Sequence, residues 1–219
     1  MGQISVVIAD LGAGNLRSVA RAVQRAGAEA TITADPDALR RAHALIVPGQ
    51  GAFRDFSEAL GRGFGPALRE YIGSGKPYLG LCIGMQVLFE GSEEYPGGVG
   101  LGHFRGMVRR FPKPLHDPES GAVLKVPHMG WNQVRAQHAL LPREAWFYFV
   151  HSYCCVPDDP TLTVATAHYG ADFCAAVARD NVFACQFHPE KSQEEGHRLL
   201  ERFVATLAPG AGVHAAGGL

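Results

Sequence analysis

The chain has 219 residues, 47% of them hydrophobic and 19% charged, a mix that suits one large domain with a real core. A formal net charge of −1 at pH 7, without a basic stripe or a run of like charges, gives no field to gather nucleic acid or anionic lipid. No segment approaches the roughly 18 apolar residues of a membrane span, and the first residues lack the basic and apolar regions of a signal peptide. Val6 stands where a myristoylation pattern needs Ser or Thr, so a cytoplasmic location is expected.

The apolar run 4–9 reads as a buried strand, stopped by Asp10-Leu11-Gly12-Ala13-Gly14. A helix is expected over about 16–26, with Leu16, Val19, Ala20 and Val23 on one face and Gly27 ending it. Residues 30–33 form a short second strand, and Asp35-Pro36 reads as a cap and first turn. Residues 44–47 are a third strand leading into Pro48-Gly49-Gln50-Gly51, and a helix over about 67–74 precedes a strand at 78–81. A helix over 83–90 with one apolar face follows. This alternation predicts an α/β fold with a parallel sheet covered on both faces.

From about residue 95, glycines and prolines punctuate short strands at 107–110, 123–126, 147–150 and 162–165. These are expected to add antiparallel strands at one side of the sheet. Residues 182–187 return as a core strand, a last helix covers 196–207, and the Gly/Ala-rich residues 209–219 read as a flexible tail beyond a single domain. The five cysteines, Cys82, Cys154, Cys155, Cys174 and Cys185, contain no C-x-x-C, so neither a disulfide framework nor a zinc site is expected.

One of these cysteines carries a chemical signal. Gly80-Leu81-Cys82-Ile83-Gly84, between an apolar strand and a helix, is a G-x-nucleophile-x-G elbow with cysteine as the nucleophile. A sharp strand-to-helix turn strains the nucleophile's backbone, and side chains two residues either side would collide. The helix N-terminus favours thiolate, and the Ile83 N–H points at an oxyanion formed beside the sulfur. Alone, the motif reads equally well as a buried cysteine in a glycine-flanked turn.

A nucleophilic thiol needs a base, and the base needs orienting. His188-Pro189-Glu190 follows another apolar strand, and on an extended chain residues two apart project to the same side. Both halves fall at the C-terminal ends of expected strands, where sites assemble in open α/β sheets. A third segment, Pro48-Gly49-Gln50-Gly51-Ala52-Phe53, offers close backbone approach and a second oxyanion donor, the Gln50 N–H beside Gly51.

These segments in this order resemble the class I, triad-type glutamine amidotransferases, and within them the glutaminase subunits of imidazole glycerol phosphate synthase. The narrower resemblance rests on Gly12-Ala13-Gly14-Asn15-Leu16-Arg17-Ser18, on Pro48 to Phe53, and on the elbow continued to Met85-Gln86. Val126-Pro127-His128-Met129-Gly130-Trp131-Asn132, His151-Ser152-Tyr153 and His188-Pro189-Glu190-Lys191-Ser192 complete it, over about residues 4–207. The resemblance implies an open, mostly parallel flavodoxin-like sheet. It implies that Cys82 attacks the carboxamide of L-glutamine, that His188 relays protons and that Glu190 orients the histidine. Gln86, Glu94, Ser152 and Tyr153 would hold the amino-acid end of glutamine. Met129, Trp131, Tyr148 and Lys191 would meet a (β/α)8 cyclase subunit that receives the ammonia. No cofactor is implied. In the family the peptide between Gly49 and Gln50 is thought to flip to complete the oxyanion hole, and Gln50 departs from the valine often found there.

Other residues have plainer readings. Gly12-Ala13-Gly14 is not a dinucleotide fingerprint, because Arg17 stands where the third glycine belongs. His128 and His151 read as structural histidines, and the remaining cysteines as packing. The competing functions are a glutaminase of another pathway, a free-standing γ-glutamyl hydrolase, and a binding module that keeps the fold without catalysis.

Overall fold

The computed structural model describes residues 4–208 of the chain, so the tail at 209–219 lies outside the described residues. The first half alternates strand and helix: β1 (Ser5–Ala9), α1 (Leu16–Arg25), β2 (Glu29–Thr33), α2 (Pro36–Arg41), β3 (Leu45–Val47), α3 (Phe53–Ala59), α4 (Gly65–Gly73), β4 (Tyr78–Leu81) and α5 (Ile83–Gln86). The second half is strand-rich: β5 (Gly91–Ser92), β6 (Gly106–Arg110), β7 (His128–Ala136), β8 (Glu144–His151), β9 (Tyr153–Pro157), β10 (Thr163–His168), β11 (Asp172–Arg179) and β12 (Val182–Cys185). Helix α6 (Gln193–Thr206) closes the described chain.

The main sheet has nine strands in the order β2-β1-β3-β4-β12-β11-β10-β7-β8. The first five are parallel, and β11, β10, β7 and β8 extend one side as antiparallel neighbours. Strands β3, β4 and β12 are buried at every position, the pattern of a sheet covered on both faces. On one face Val19 and Val23 of α1 pack with Leu199, Leu200 and Phe203 of α6. On the other, Leu39 of α2, Phe53 and Phe56 of α3 and Leu68 and Tyr71 of α4 fill the core. Asp35 caps α2 by accepting from Asp37 N at 2.9 Å, and Gly27 ends α1 at φ 94°.

Several local expectations need correction. The helix expected over 83–90 is a single turn, Ile83–Gln86, and residues 83–89 are all buried, so it has no solvent-exposed face. It stops because the next N–H groups leave the ladder: Leu88 N and Phe89 N donate three residues back, to Met85 O and Gln86 O at 3.2 Å, and Glu90 N donates to Gly106 O at 3.2 Å. Residues 123–126 form no strand; Val123 makes only an isolated bridge with His116. Strand β6 pairs with β5 and β9 in a separate three-stranded sheet rather than joining the main one. Helix α3 and strands β7, β9 and β11 were not foreseen. Strand β7 hides behind Gly130 and Asn132, and the Ala-rich β11 behind low strand propensity.

Candidate active site

Strands β3, β4 and β12 are adjacent in the sheet, and their C-terminal ends carry the Pro48–Phe53 segment, Cys82 and His188. Sheet order alone therefore brings together three segments separated by as many as 140 positions in the chain. Cys82 N donates to Cys185 O at 2.8 Å, carrying the β4–β12 ladder one residue past the strand. The chain then turns sharply, with Cys82 at φ 53°, ψ −105°. The flanking glycines are steric requirements. A Cβ on Gly84 would stand 1.8 Å from Val47 O, and one on Gly80 2.5 Å from Gly84 O. The Tyr78 hydroxyl pins the turn by donating to Gly84 O at 2.8 Å.

Cys82 is buried to 4% exposure at the bottom of a cleft of about 380 Å³. His188 Nδ1 lies 2.7 Å from Glu190 Oε1, and both side chains are nearly inaccessible, at 2% and 3%. The contact is not made along an extended strand as expected. A 3-10 turn, Pro189–Lys191, folds Glu190 back onto the ring. Burial disfavours the imidazolium, but the Cys82 sulfur and the Glu190 carboxylate together outweigh it and hold His188 well above its ordinary range. His188 Nε2 has no hydrogen-bond partner among the described residues, and neither has Glu190 Oε2. An imidazole held by a carboxylate at Nδ1 with a free Nε2 facing a thiol can shuttle protons for a nucleophilic sulfur.

The cleft wall contains Gln50, Gly51, Ile83, Gln86, Glu94, Ser152 and Tyr153, all singled out from the sequence, together with Lys191. Gly49 packs so closely on the elbow that a Cβ there would lie 2.4 Å from Ile83 Cβ, and Gly51 has φ 128°. The Gln50 backbone is thereby held beside the first turn of α5. Glu94 Oε2 accepts from Phe53 N at 2.8 Å, capping α3 directly after the Gln50–Gly51 segment. Gln86 Nε2 donates to Tyr153 O at 3.3 Å, while its buried Oε1 is unpartnered.

Met129, Trp131, Tyr148 and Lys191 form a patch at the rim of this cleft. Trp131 lies opposite Tyr148 across the β7–β8 pair, edge to face at 6.2 Å, and Lys191 Nζ sits 5.8 Å over the Tyr148 ring. Met129 and Trp131 are 62% and 44% exposed, and Trp146, unremarked in the sequence, is 56% exposed on the same face of β8. Ser192 ties this edge to the histidine. Its hydroxyl donates to His188 O at 2.6 Å and accepts from Tyr148 N at 3.0 Å.

Sequence reasoning missed Gln186. This wholly buried side chain donates from Nε2 to Cys82 Sγ at 3.4 Å and accepts at Oε1 from Gln86 Nε2 at 3.0 Å. The available signal was a polar residue in an otherwise apolar strand run, two positions before His188 and so on the same side. His128 and His151 lie outside the catalytic pair, in a buried aromatic cluster with Phe111, Phe149 and Phe173. All five cysteines are free thiols.

A nucleophile elbow at the end of a central parallel strand, faced by a carboxylate-held histidine from the neighbouring strand, is the arrangement of a cysteine-dependent amidotransferase. The chain belongs to the class I glutamine amidotransferases: the family model for glutamine amidotransferase class-I matches residues 7–207. Within that family its relatives are subunits HisH of imidazole glycerol phosphate synthase. That of Syntrophotalea carbinolica is 48% identical, the match covering 90% of this chain and 98% of the relative. That of Methylococcus capsulatus is 47% identical, covering 91% and 95%. Among solved structures, PurLQS from Thermotoga maritima superposes with a TM-score of 0.72 at 17% identity, covering 95% of this chain and all of that one, a likeness of fold.

Proposed function

We infer that the chain hydrolyses L-glutamine to glutamate and ammonia and hands the ammonia to a (β/α)8 cyclase subunit, the two together forming imidazole glycerol phosphate synthase of histidine biosynthesis. The observation that carries the chemistry is the convergence of Cys82, the His188–Glu190 pair and the Gln50–Ile83 backbone on one cleft. The subunit name shared by the relatives supports the pathway and the partner.

In the proposed reaction the Cys82 thiolate attacks the carboxamide carbon. The oxyanion is held by the Ile83 N–H, a first-turn donor with no intrahelical acceptor, and by the Gln50 N–H once its peptide turns inward. His188 Nε2 gives its proton to the leaving ammonia, leaving a glutamyl thioester. It then takes a proton from water, which attacks the thioester and releases glutamate. Glu190 keeps the ring oriented throughout. Gln86 lines the cleft with an Oε1 that has no partner, which we assign as an acceptor for the α-ammonium group, with Glu94 and the Ser152–Tyr153 backbone beside it. Met129, Trp131, Tyr148 and Lys191 supply the docking face at the cleft rim.

Glutamate release by the purified chain, alone and with the cyclase and its nucleotide ligand, tests this reading. Low activity alone and a large rise in the mixture are expected, because Gln50 completes the oxyanion hole only in the assembled, liganded state. Cys82→Ala is expected to abolish glutamine-dependent turnover and to leave ammonia-dependent synthesis by the complex intact. Full activity alone would overturn the partner assignment, and loss of both syntheses in Cys82→Ala would make the cysteine structural.

A further inference from the structure

The single turn Ile83–Gln86 supplies little of the macrodipole that a long helix would give the sulfur, so another group must favour its charged form. His188 is one such group, and the hydrogen-bond pattern behind Cys82 supplies a second. Tyr153 O is a carbonyl and can only accept, so the Gln86 side chain must present its NH2 group to it. That same Nε2 lies 3.0 Å from Gln186, which must therefore turn its oxygen toward Gln86. With Oε1 so engaged, Gln186 has only its NH2 group to offer the Cys82 sulfur, at 3.4 Å. The orientation of both amides is thus dictated from a backbone carbonyl, without reference to the sulfur. Gln186 is itself held by its own backbone, whose N–H donates to Ala175 O at 2.8 Å, and its side chain has no access to solvent.

Resting on the glutaminase reading above, we propose that Gln186 belongs to the catalytic machinery: its amide holds the Cys82 sulfur as thiolate and aims it into the cleft, and Gln86 sets the orientation of that amide. A donor to the charged form of a buried group favours that form, and a buried amide costs nothing to reorganise when the sulfur attacks. The arrangement also links Gln86 to the nucleophile through two amides in series, Gln86 Nε2 donating to Gln186 Oε1 and Gln186 Nε2 to Cys82 Sγ. Glutamine bound at Gln86 Oε1 polarises the Gln86 amide, which strengthens its bond to Gln186.

The test compares alkylation of Cys82 by iodoacetamide, read peptide by peptide across pH, in wild type, Gln186→Met and Gln186→Glu. The methionine removes the donor at similar size; the glutamate keeps the acceptor for Gln86 but sets an oxygen against the sulfur. Both variants are expected to slow Cys82 alkylation at pH 7 about tenfold and to displace its pH profile upward by about one unit. In the complex, kcat for glutamine should fall by a similar factor with a smaller change in KM. Unchanged profiles in both variants would overturn the proposal. So would new labelling of the adjacent buried Cys185, which would show that Gln186 acts by packing alone. Failure of a glutamine-like electrophile to modify wild-type Cys82 would instead remove the glutaminase reading. Should neither variant fold, wild type decides: the Gln186 side-chain amide protons must shift on Cys82 alkylation, and their constancy would overturn the proposal.

Discussion

Cys82 occupies backbone space that side chains rarely adopt, φ 53°, ψ −105°, and the sheet holds it there through Cys82 N to Cys185 O and Tyr78 Oη to Gly84 O. Such strain costs on the order of 1–3 kcal/mol and persists only where the surroundings impose it. Comparing Cys82→Gly with Cys82→Ala isolates it, since both lose the sulfur and only alanine keeps a Cβ. After the greater unfolded-state entropy of glycine is subtracted, Cys82→Gly is expected to be the more stable by about 1 kcal/mol in urea unfolding. A glycine variant less stable than the alanine one by the full entropy cost of glycine, roughly 0.5–1 kcal/mol, would mean that the elbow carries no strain. Among the other thiols, burial pushes Cys154 up to about 11 and Cys174 up to about 12, and raises Cys155 and Cys185 well above the ordinary value.

At the scale of elements, strands β7 and β8 are joined beneath their exposed face by a buried histidine pair. His151 Nδ1 is 2.9 Å from Tyr153 O and so carries its proton there; His128 Nδ1 lies 3.0 Å from His151 Nε2, and Asn132 Nδ2 3.3 Å from His128 Nε2. The chain of donors is satisfied only with both rings neutral. Burial accordingly pushes His128 down to about 4 and His151 down to about 3 from an ordinary value of 6.5. Protons then bind the unfolded chain first as pH falls below 6.5, so stability is full above that value and is lost toward pH 4. For His128 the loss amounts to about 3 kcal/mol across that window. Urea unfolding at pH 7.5, 6 and 5 is expected to show this slope, and His128→Gln to be weaker at pH 7.5 but flatter with pH. An unchanged slope in the variant would show that other groups drive the acid sensitivity.

On the scale of the whole molecule, the exposed Met129, Trp131 and Trp146 gather on the β7–β8 edge, which Ser192 fastens to His188. An apolar patch at the mouth of a polar cleft fits the proposed assembly, in which ammonia passes directly to another subunit. Trp131→Ala is expected to weaken docking to the cyclase by about 2 kcal/mol, roughly thirtyfold in Kd, since a central aromatic anchor carries much of such an interface. With Trp131 at 44% exposure in the free chain, its melting temperature should change far less. Undiminished affinity measured by calorimetry would remove this face from the interface.

The alternation of apolar strands with helices was legible in the chain from Ser5 to Leu81 because parallel strands buried on both faces need uninterrupted apolar runs. The elbow was legible because neither glycine tolerates a side chain, Gly80 facing Gly84 O within the turn and Gly84 facing Val47 O of the neighbouring strand, so their spacing survives in the sequence. Local pattern also extended too far, reading a helix through residue 90, because Glu90 N pairs with Gly106 O of β6 instead of with its own turn. The sequence by itself marked the candidate nucleophile, base and carboxylate, each through its neighbours in the chain. Only the tertiary structure decided that they meet, because the order β3-β4-β12 sets their loops side by side. It alone placed Gln186 against the sulfur, for hydrogen bonds between residues 100 positions apart leave no periodic trace in a chain.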